Sequence, residues 1–158
     1  MGRDKQPFVR RIARAALLVV LLPIIIPFAA AVLALYWLHR LVLYALIWLL
    51  WLPRGKDVLL VYSDSPIWHD YMRTQVLPLV QERAVILNWS HQSRWPKWSF
   101  SVHVFRSFGG RERFNPMVAV FRPFRSARVF RFWSAFKDWK RGYTEPVERL
   151  RNDLVLIL

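Results

Sequence analysis

The chain has no cysteine and few acids, ten against 24 lysines and arginines in 158 residues. Without thiols it can form no disulfide, no thiolate zinc site and no cysteine-ligated iron–sulfur cluster. Glycine is scarce too, with five residues, and the only adjacent pair is Gly109-Gly110. No glycine run cradles a phosphate, no nucleophile elbow is present, and the four histidines lack metal-ligand spacing. Internal repeats and low-complexity segments are also missing. These absences give catalysis, cofactors and metal no positive support, and the expectation is a protein that is not an enzyme.

What is present is apolar and basic. Hydrophobic residues make up 55% and the net charge is +14. Residues 94–141 alone hold twelve bases against two acids. Such a surface faces an anionic membrane, a nucleic acid or an acidic protein.

The apolar residues concentrate near the N-terminus. "AALLVVLLPIIIPFAAAVLALYWL", Ala15 to Leu38, has no charge over 24 residues, where about 20 cross a bilayer. After His39 and Arg40, "LVLYALIWLLWL" continues to Leu52. A cleaved signal peptide would stop sooner, at a small-residue site before a polar chain. A permanent anchor over 15–52 is expected, behind a basic cytoplasmic tail, 1–14. Arg10, Arg11 and Arg14 precede the run, and Arg54 and Lys56 follow it. The positive-inside rule puts both flanks in the cytoplasm, as in a transmembrane or re-entrant helical hairpin that turns near Pro27 to Ala31. The competing arrangement is one span, Ala15 to Leu38, then an interfacial helix. The expected location is the bacterial inner membrane, with the C-terminal domain in the cytoplasm.

Tyr36, Arg40, Tyr44 and Trp48 recur every four residues and share a helical face. That face is either an interfacial aromatic belt with a snorkelling arginine or a contact for another membrane protein. His39 is a candidate ligand for a pigment or haem. The antenna polypeptides of photosynthetic bacteria resemble this setting, with an alanine four residues before the histidine, where this chain has Leu35.

Beyond a joint at 53–57 the pattern changes to a small basic domain, 58–158. "DVLLVYS", "AVILNWS", "MVAVF" and "ARVFRFW" (residues 57–63, 84–90, 117–121 and 127–133) read as strands. "SDSPIWHDYMRTQVLPLVQER" reads as a helix capped by Ser65, with Pro66 at its first position and a kink at Pro78. "WSFSVHVFRSFGG" reads as a helix stopped by Gly109 and Gly110. "TEPVERLRNDLVLIL" closes as a helix behind Thr144. The order predicts an α/β fold with a small, mostly parallel sheet flanked by helices, flavodoxin-like.

The stretch "DVLLVYSDSPIWHDYMRTQVLPLVQERAVILNW" resembles the opening of a TIR-type domain: a strand ending in Tyr-Ser, a helix with a Leu-Pro-Leu segment, then a second strand. The resemblance implies a self-associating scaffold, and some TIR domains cleave NAD with a glutamate on the helix after the third strand. Here "RPFRSARVFRFW" follows that strand and carries no acid, so a non-catalytic, degenerate version is implied.

Asp64, His69 and Asp70 follow the first strand, where open α/β sheets place ligands. Adjacent helical residues point apart, so capping and solvated surface is the favoured role. His91 and His103 read as isolated. Arg122, Arg125, Arg128 and Arg131 recur every third residue among aromatics that include Trp133. Pro123 excludes a voltage-sensing helix. Strand alternation sends Arg128 and Arg131 to opposite faces and leaves Arg122 and Arg125 in a turn. Nucleic acid is disfavoured for a tethered domain. Anionic lipid headgroups, met also by Arg94, Lys97, Arg106, Arg111 and Arg113, or acids on integral membrane protein subunits are the expected contacts of Arg40, Tyr44, Trp48, the four arginines and Trp133.

Two functions stand. One is a non-catalytic accessory or scaffold subunit of a multi-subunit membrane complex, photosynthetic or respiratory, clamped by its basic aromatic domain. The other is a membrane-bound TIR-like signalling protein or nucleotide-acting enzyme.

Overall fold

Residues 24–38 contain no glycine, asparagine, aspartate or serine that could close a turn, and Ala29 to Ala31 favour helix. A computed structural model, which describes residues 6–96, 98–110 and 116–158 and the side chains from residue 21 onward, accordingly shows one helix α1, Gln6–Leu50, through this region. Pro23 and Pro27 lie inside it. The expected hairpin is therefore corrected to a single continuous helix. A turn among these apolar residues would strip backbone groups of partners that nothing nearby replaces. At 1.5 Å per residue the helix is about 68 Å long, roughly twice a bilayer core. Of the basic tail, residues 6–14 belong to this helix and 1–5 fall outside the described residues.

Two units divide the chain, Met1–Val42 and Leu43–Leu158. In the first, apolar side chains are bare: Phe28 is 72% exposed and Leu35 and Trp37 66%. Among the described residues one helical stretch, Leu21–Arg54, is long and apolar enough to cross a membrane.

The second unit is a four-stranded sheet with helices on both faces. β1 (Val58–Tyr62) pairs in parallel with β2 (Ala84–Asn88). β3 (Met117–Val120) pairs antiparallel with β1, and β4 (Arg128–Arg131) antiparallel with β3, giving the order β2-β1-β3-β4. The sheet is thus mixed, not mostly parallel. Only seven residues, 121–127, join β3 to β4, too few for the crossover that parallel neighbours require. The TIR-resembling stretch coincides with the one parallel unit.

Between β1 and β2 the expected helix is broken into α2 (His69–Tyr71), a π-helical turn (Met72–Val76) and α3 (Leu77–Val80). Pro78 has no N–H to donate and its ring crowds the preceding turn, and the wider π turn just before it relieves both. Residues 66–68 form a turn instead of helix, held by Trp68 and His69 amides donating to the Ser65 carbonyl (3.1 and 2.9 Å). α4 (Phe100–Phe108) ends at Gly109, and Gly110 takes the left-handed conformation (φ +74°). Trp133, expected in a strand, instead opens an additional helix, α5 (Trp133–Trp139), whose seven residues are too short to show a helical period. α6 (Glu145–Val155) closes the fold with Thr144 in the cap position.

Strand alternation sorts the core in two. Val58, Leu60, Val118, Val120 and Phe130 face α2, α3, α5 and α6. Leu59, Val61, Met117 and Ala119 face α4 and the last turns of α1, where Leu43 and Ile47 are buried, as is Trp51 just beyond the helix end.

Tyr71 sits in the first core with 8% of its surface exposed. Burial first, then the neighbouring Glu148 carboxylate, pushes its phenol up to about 12, against a smaller opposing effect of Arg151. The native state therefore holds this proton when the unfolded chain, near 10, has lost it. The stability it contributes is full below pH 10 and drains away as pH rises to 12. Expected result: the fall in unfolding free energy between pH 10 and 12 is shallower in Tyr71→Phe than in the wild type, read by urea titrations at each pH. Identical slopes would refute the assignment.

Candidate functional site

Because β1 and β2 run parallel with Tyr62 opposite Asn88, the loops leaving their carboxyl ends start side by side. Asp64 and Ser90 each lie two residues past that pair. The Asp64 amide donates to Ser90 Oγ (2.9 Å), Asn88 Nδ2 donates to Asp64 Oδ1 (2.7 Å), and the Ser90 amide donates to Asn88 Oδ1 (2.9 Å). His69 Nδ1 stands 3.4 Å from Asp64 Oδ1, and His91 Nε2 stands 3.8 Å from Asp64 Oδ2. His91, isolated in sequence, is thus brought to Asp64 by strand register, a signal that exists only once the two strands are known to be parallel. Asp70 is not a member: it is exposed, and its carbonyl accepts from Thr74 Oγ1 (2.7 Å). Asp64 caps no helix here; it ties the two loops together. Among the described residues no three histidine or acidic side chains converge as metal ligands.

The arginine row lies at the other end of the sheet. Arg122 has the strand parity of Val118 and Val120, so it turns toward α6, where its Nη2 donates to the Ile157 carbonyl. The Arg125 amide donates to the Arg122 carbonyl (3.3 Å), closing a turn whose tip is Phe124, at φ +57° and 92% exposed. Arg128 shares a face with Phe130. Arg122, Arg125 and Arg128, with Ser126, consequently line one cavity of about 530 Å³ together with Val120, Leu156 and Ile157. Arg131, of opposite parity, lies on the other face beside Gly110, whose added Cβ would come within 2.7 Å of its guanidinium. The predicted separation of Arg128 from Arg131 is what the structure has, but three of the four arginines gather on one site. Both Arg128 and Arg131 are exposed, so neither draws a carboxylate inward.

Charge is unevenly compensated. Arg83, Arg141, Arg149 and Arg151 pair with Asp57, Asp138, Glu145 and Glu148. Among the described residues no carboxylate pairs with Arg122, Arg125 or Arg128.

The aromatic candidates serve the fold. Tyr44 Oη accepts from the Ala127 amide (2.7 Å), and its ring meets Phe108 and Phe121 edge-on. Trp48 packs against Tyr44 and Phe124. Trp133 is half-buried, with Lys137 Nζ 5.3 Å from its ring centre. Arg40 donates to Tyr36 Oη (3.0 Å) on the same helix, and His39 is exposed there. Arg94 and Arg106 are exposed, while Lys97, Arg111 and Arg113 lie outside the described residues.

No family model, curated protein or solved structure matches the chain.

Proposed function

We propose that this chain is a non-catalytic accessory subunit of a membrane protein complex, anchored by α1 among integral membrane subunits and holding the assembly with its basic domain. The observation that carries the reading is the bare apolar surface of α1 from Leu21 to Val42, in a helix whose last turns are built into the core of a folded domain. About twenty exposed apolar residues need lipid or protein around them.

One span leaves its flanks on opposite sides, so the reason for placing both in the cytoplasm lapses. Five bases lie in 1–14, against Arg40, Arg54 and Lys56 just beyond the apolar run, which favours a cytoplasmic tail. Against this, residues 94–141 carry ten net positive charges, each worth about 1 kcal/mol beside an anionic cytoplasmic leaflet. We infer that these charges dock the domain on the anionic cytoplasmic leaflet of a bacterial inner membrane.

The alternative, a TIR-like signalling or nucleotide-acting protein, draws on the Asp64–His69–His91 cluster at the carboxyl ends of the parallel pair β1 and β2, where such sheets bind ligands. A single preparation separates the readings. In sealed inside-out vesicles the domain is expected to be cut by added protease. Mild non-ionic detergent should then release the full chain bound to at least one integral membrane protein, without NAD turnover. Elution as a lone chain in a micelle, or protection of the domain, would overturn the corresponding part, and NAD turnover would favour the alternative.

A further inference from the structure

We propose that the cavity walled by Arg122, Arg125, Ser126 and Arg128 is a binding site for a phosphate group carried on a hydrocarbon tail, such as a phosphorylated lipid. The proposal rests on the membrane-anchored reading and names a ligand for that basic domain.

Three arginines line the site within seven consecutive residues, with Ser126 between them. Each guanidinium presents a planar fork of N–H donors that matches two oxygens of a phosphate. Part of the geometry is set before any ligand arrives. Arg122 is held by the Ile157 carbonyl, and the Arg125 amide closes back on the Arg122 carbonyl. The domain has acids to spare for other arginines, yet none pairs with these three among the described residues. Three like charges kept this close without a carboxylate favour a multiply charged oxyanion.

The rest of the cavity is apolar. Val120, Leu156 and Ile157 also line it, and Leu156 is 83% exposed. The same two α6-end residues continue into a neighbouring hollow of about 440 Å³ lined by Val129 and Phe130, with Arg128 at the edge it shares with the first cavity and Asp153 at its side. Beyond Arg128, a free sugar-phosphate or a nucleic acid strand would meet these apolar side chains and the Asp153 carboxylate in place of further donors. An acyl chain would bury them. Among the described residues β4 is the edge strand of the sheet, with no further strand beside it.

The test uses the full chain in an uncharged maltoside detergent, titrated calorimetrically with short-chain phosphatidic acid, the matching neutral diglyceride, inorganic phosphate, and a single-stranded oligonucleotide. The expected result is one saturable site for phosphatidic acid, at least tenfold tighter than for inorganic phosphate, which competes for it, and no binding of the diglyceride. Arg125→Ala with Arg128→Ala should lower the phosphatidic acid affinity at least 30-fold with an unchanged unfolding temperature, since both side chains are exposed and pair with no carboxylate among the described residues. Leu156→Ser should weaken the lipid and leave inorganic phosphate unaffected. Equal lipid binding by the double variant overturns the site. Equal affinity for phosphate and lipid overturns the tail, and oligonucleotide binding lost in the same double variant would make it a nucleic-acid site. None of these outcomes depends on which membrane proteins co-purify, so the site and the subunit reading fail separately.

Discussion

Phe136→Ala should destabilise the domain by about 4 kcal/mol, the middle of the range for deleting a fully buried phenylalanine. Phe136 has no exposed surface. Its ring stacks on Trp68 at 4.2 Å between centres, meets Tyr71 edge-on at 5.6 Å, and lies 5.8 and 6.0 Å from Trp139 and Phe132. It therefore joins α5 to the turn and helix after β1, and alanine would leave a void walled by rigid rings that collapse poorly. Urea unfolding of the detergent-solubilised chain, followed by tryptophan fluorescence, measures the loss. A value under about 1.5 kcal/mol would mean that the aromatic cluster repacks. Trp139, only half-buried, serves as the comparison and should cost clearly less.

The second large effect is expected from Arg83→Ala, at about 3 kcal/mol. Asp57 is the one buried charged residue among those described. Arg83 Nε donates to its Oδ1 (3.0 Å), Arg83 Nη2 donates to its Oδ2, and Arg83 Nη1 reaches the Leu158 main-chain oxygen (2.6 Å). The hydrogen bond to Asp57 holds the guanidinium's proton more firmly than usual, with burial acting the other way. Truncating the arginine strands a carboxylate whose own residue anchors the sheet: the Asp57 amide donates to the Arg83 carbonyl (3.1 Å) and its carbonyl accepts from the Phe121 amide (2.8 Å). A buried charge left alone costs about 3–5 kcal/mol, and the lower end applies because the arginine side chain is 40% exposed. Adding Asp57→Asn to Arg83→Ala should recover part of the loss by removing the charge. A double variant no more stable than the single one would show that the lost packing and the bond to Leu158 carry the effect.

Much of the fold was legible in the sequence because its signals are local. An uncharged run of 24 residues declares a helix long and apolar enough to cross a membrane, whatever follows it. Four apolar runs of strand length became the four strands, and Pro78 announced a disturbed helix. Side-chain parity along β4 alone is enough to put Arg128 and Arg131 on opposite faces. Tyr44 and Trp48, four residues apart, share one helical face. That face packs on Phe108, Phe121 and Phe124 of the same domain.

What only the tertiary structure decided was direction and convergence. Strand direction follows from where the chain returns after α4, so β3 runs antiparallel to β1, and no periodicity within β3 encodes that. The continuity of α1 depends on the lack of any residue that could close a turn, a weaker signal than the two prolines that suggested one. His91 meets Asp64 because β1 and β2 share a register across 26 residues of sequence, and Arg122, Arg125 and Arg128 share a cavity because α6 folds back over the end of β3. Side-chain type and spacing determine which elements form and which chemistry they carry. Which of those groups face one another is set by contacts between segments far apart in the chain, which only the packed sheet brings together.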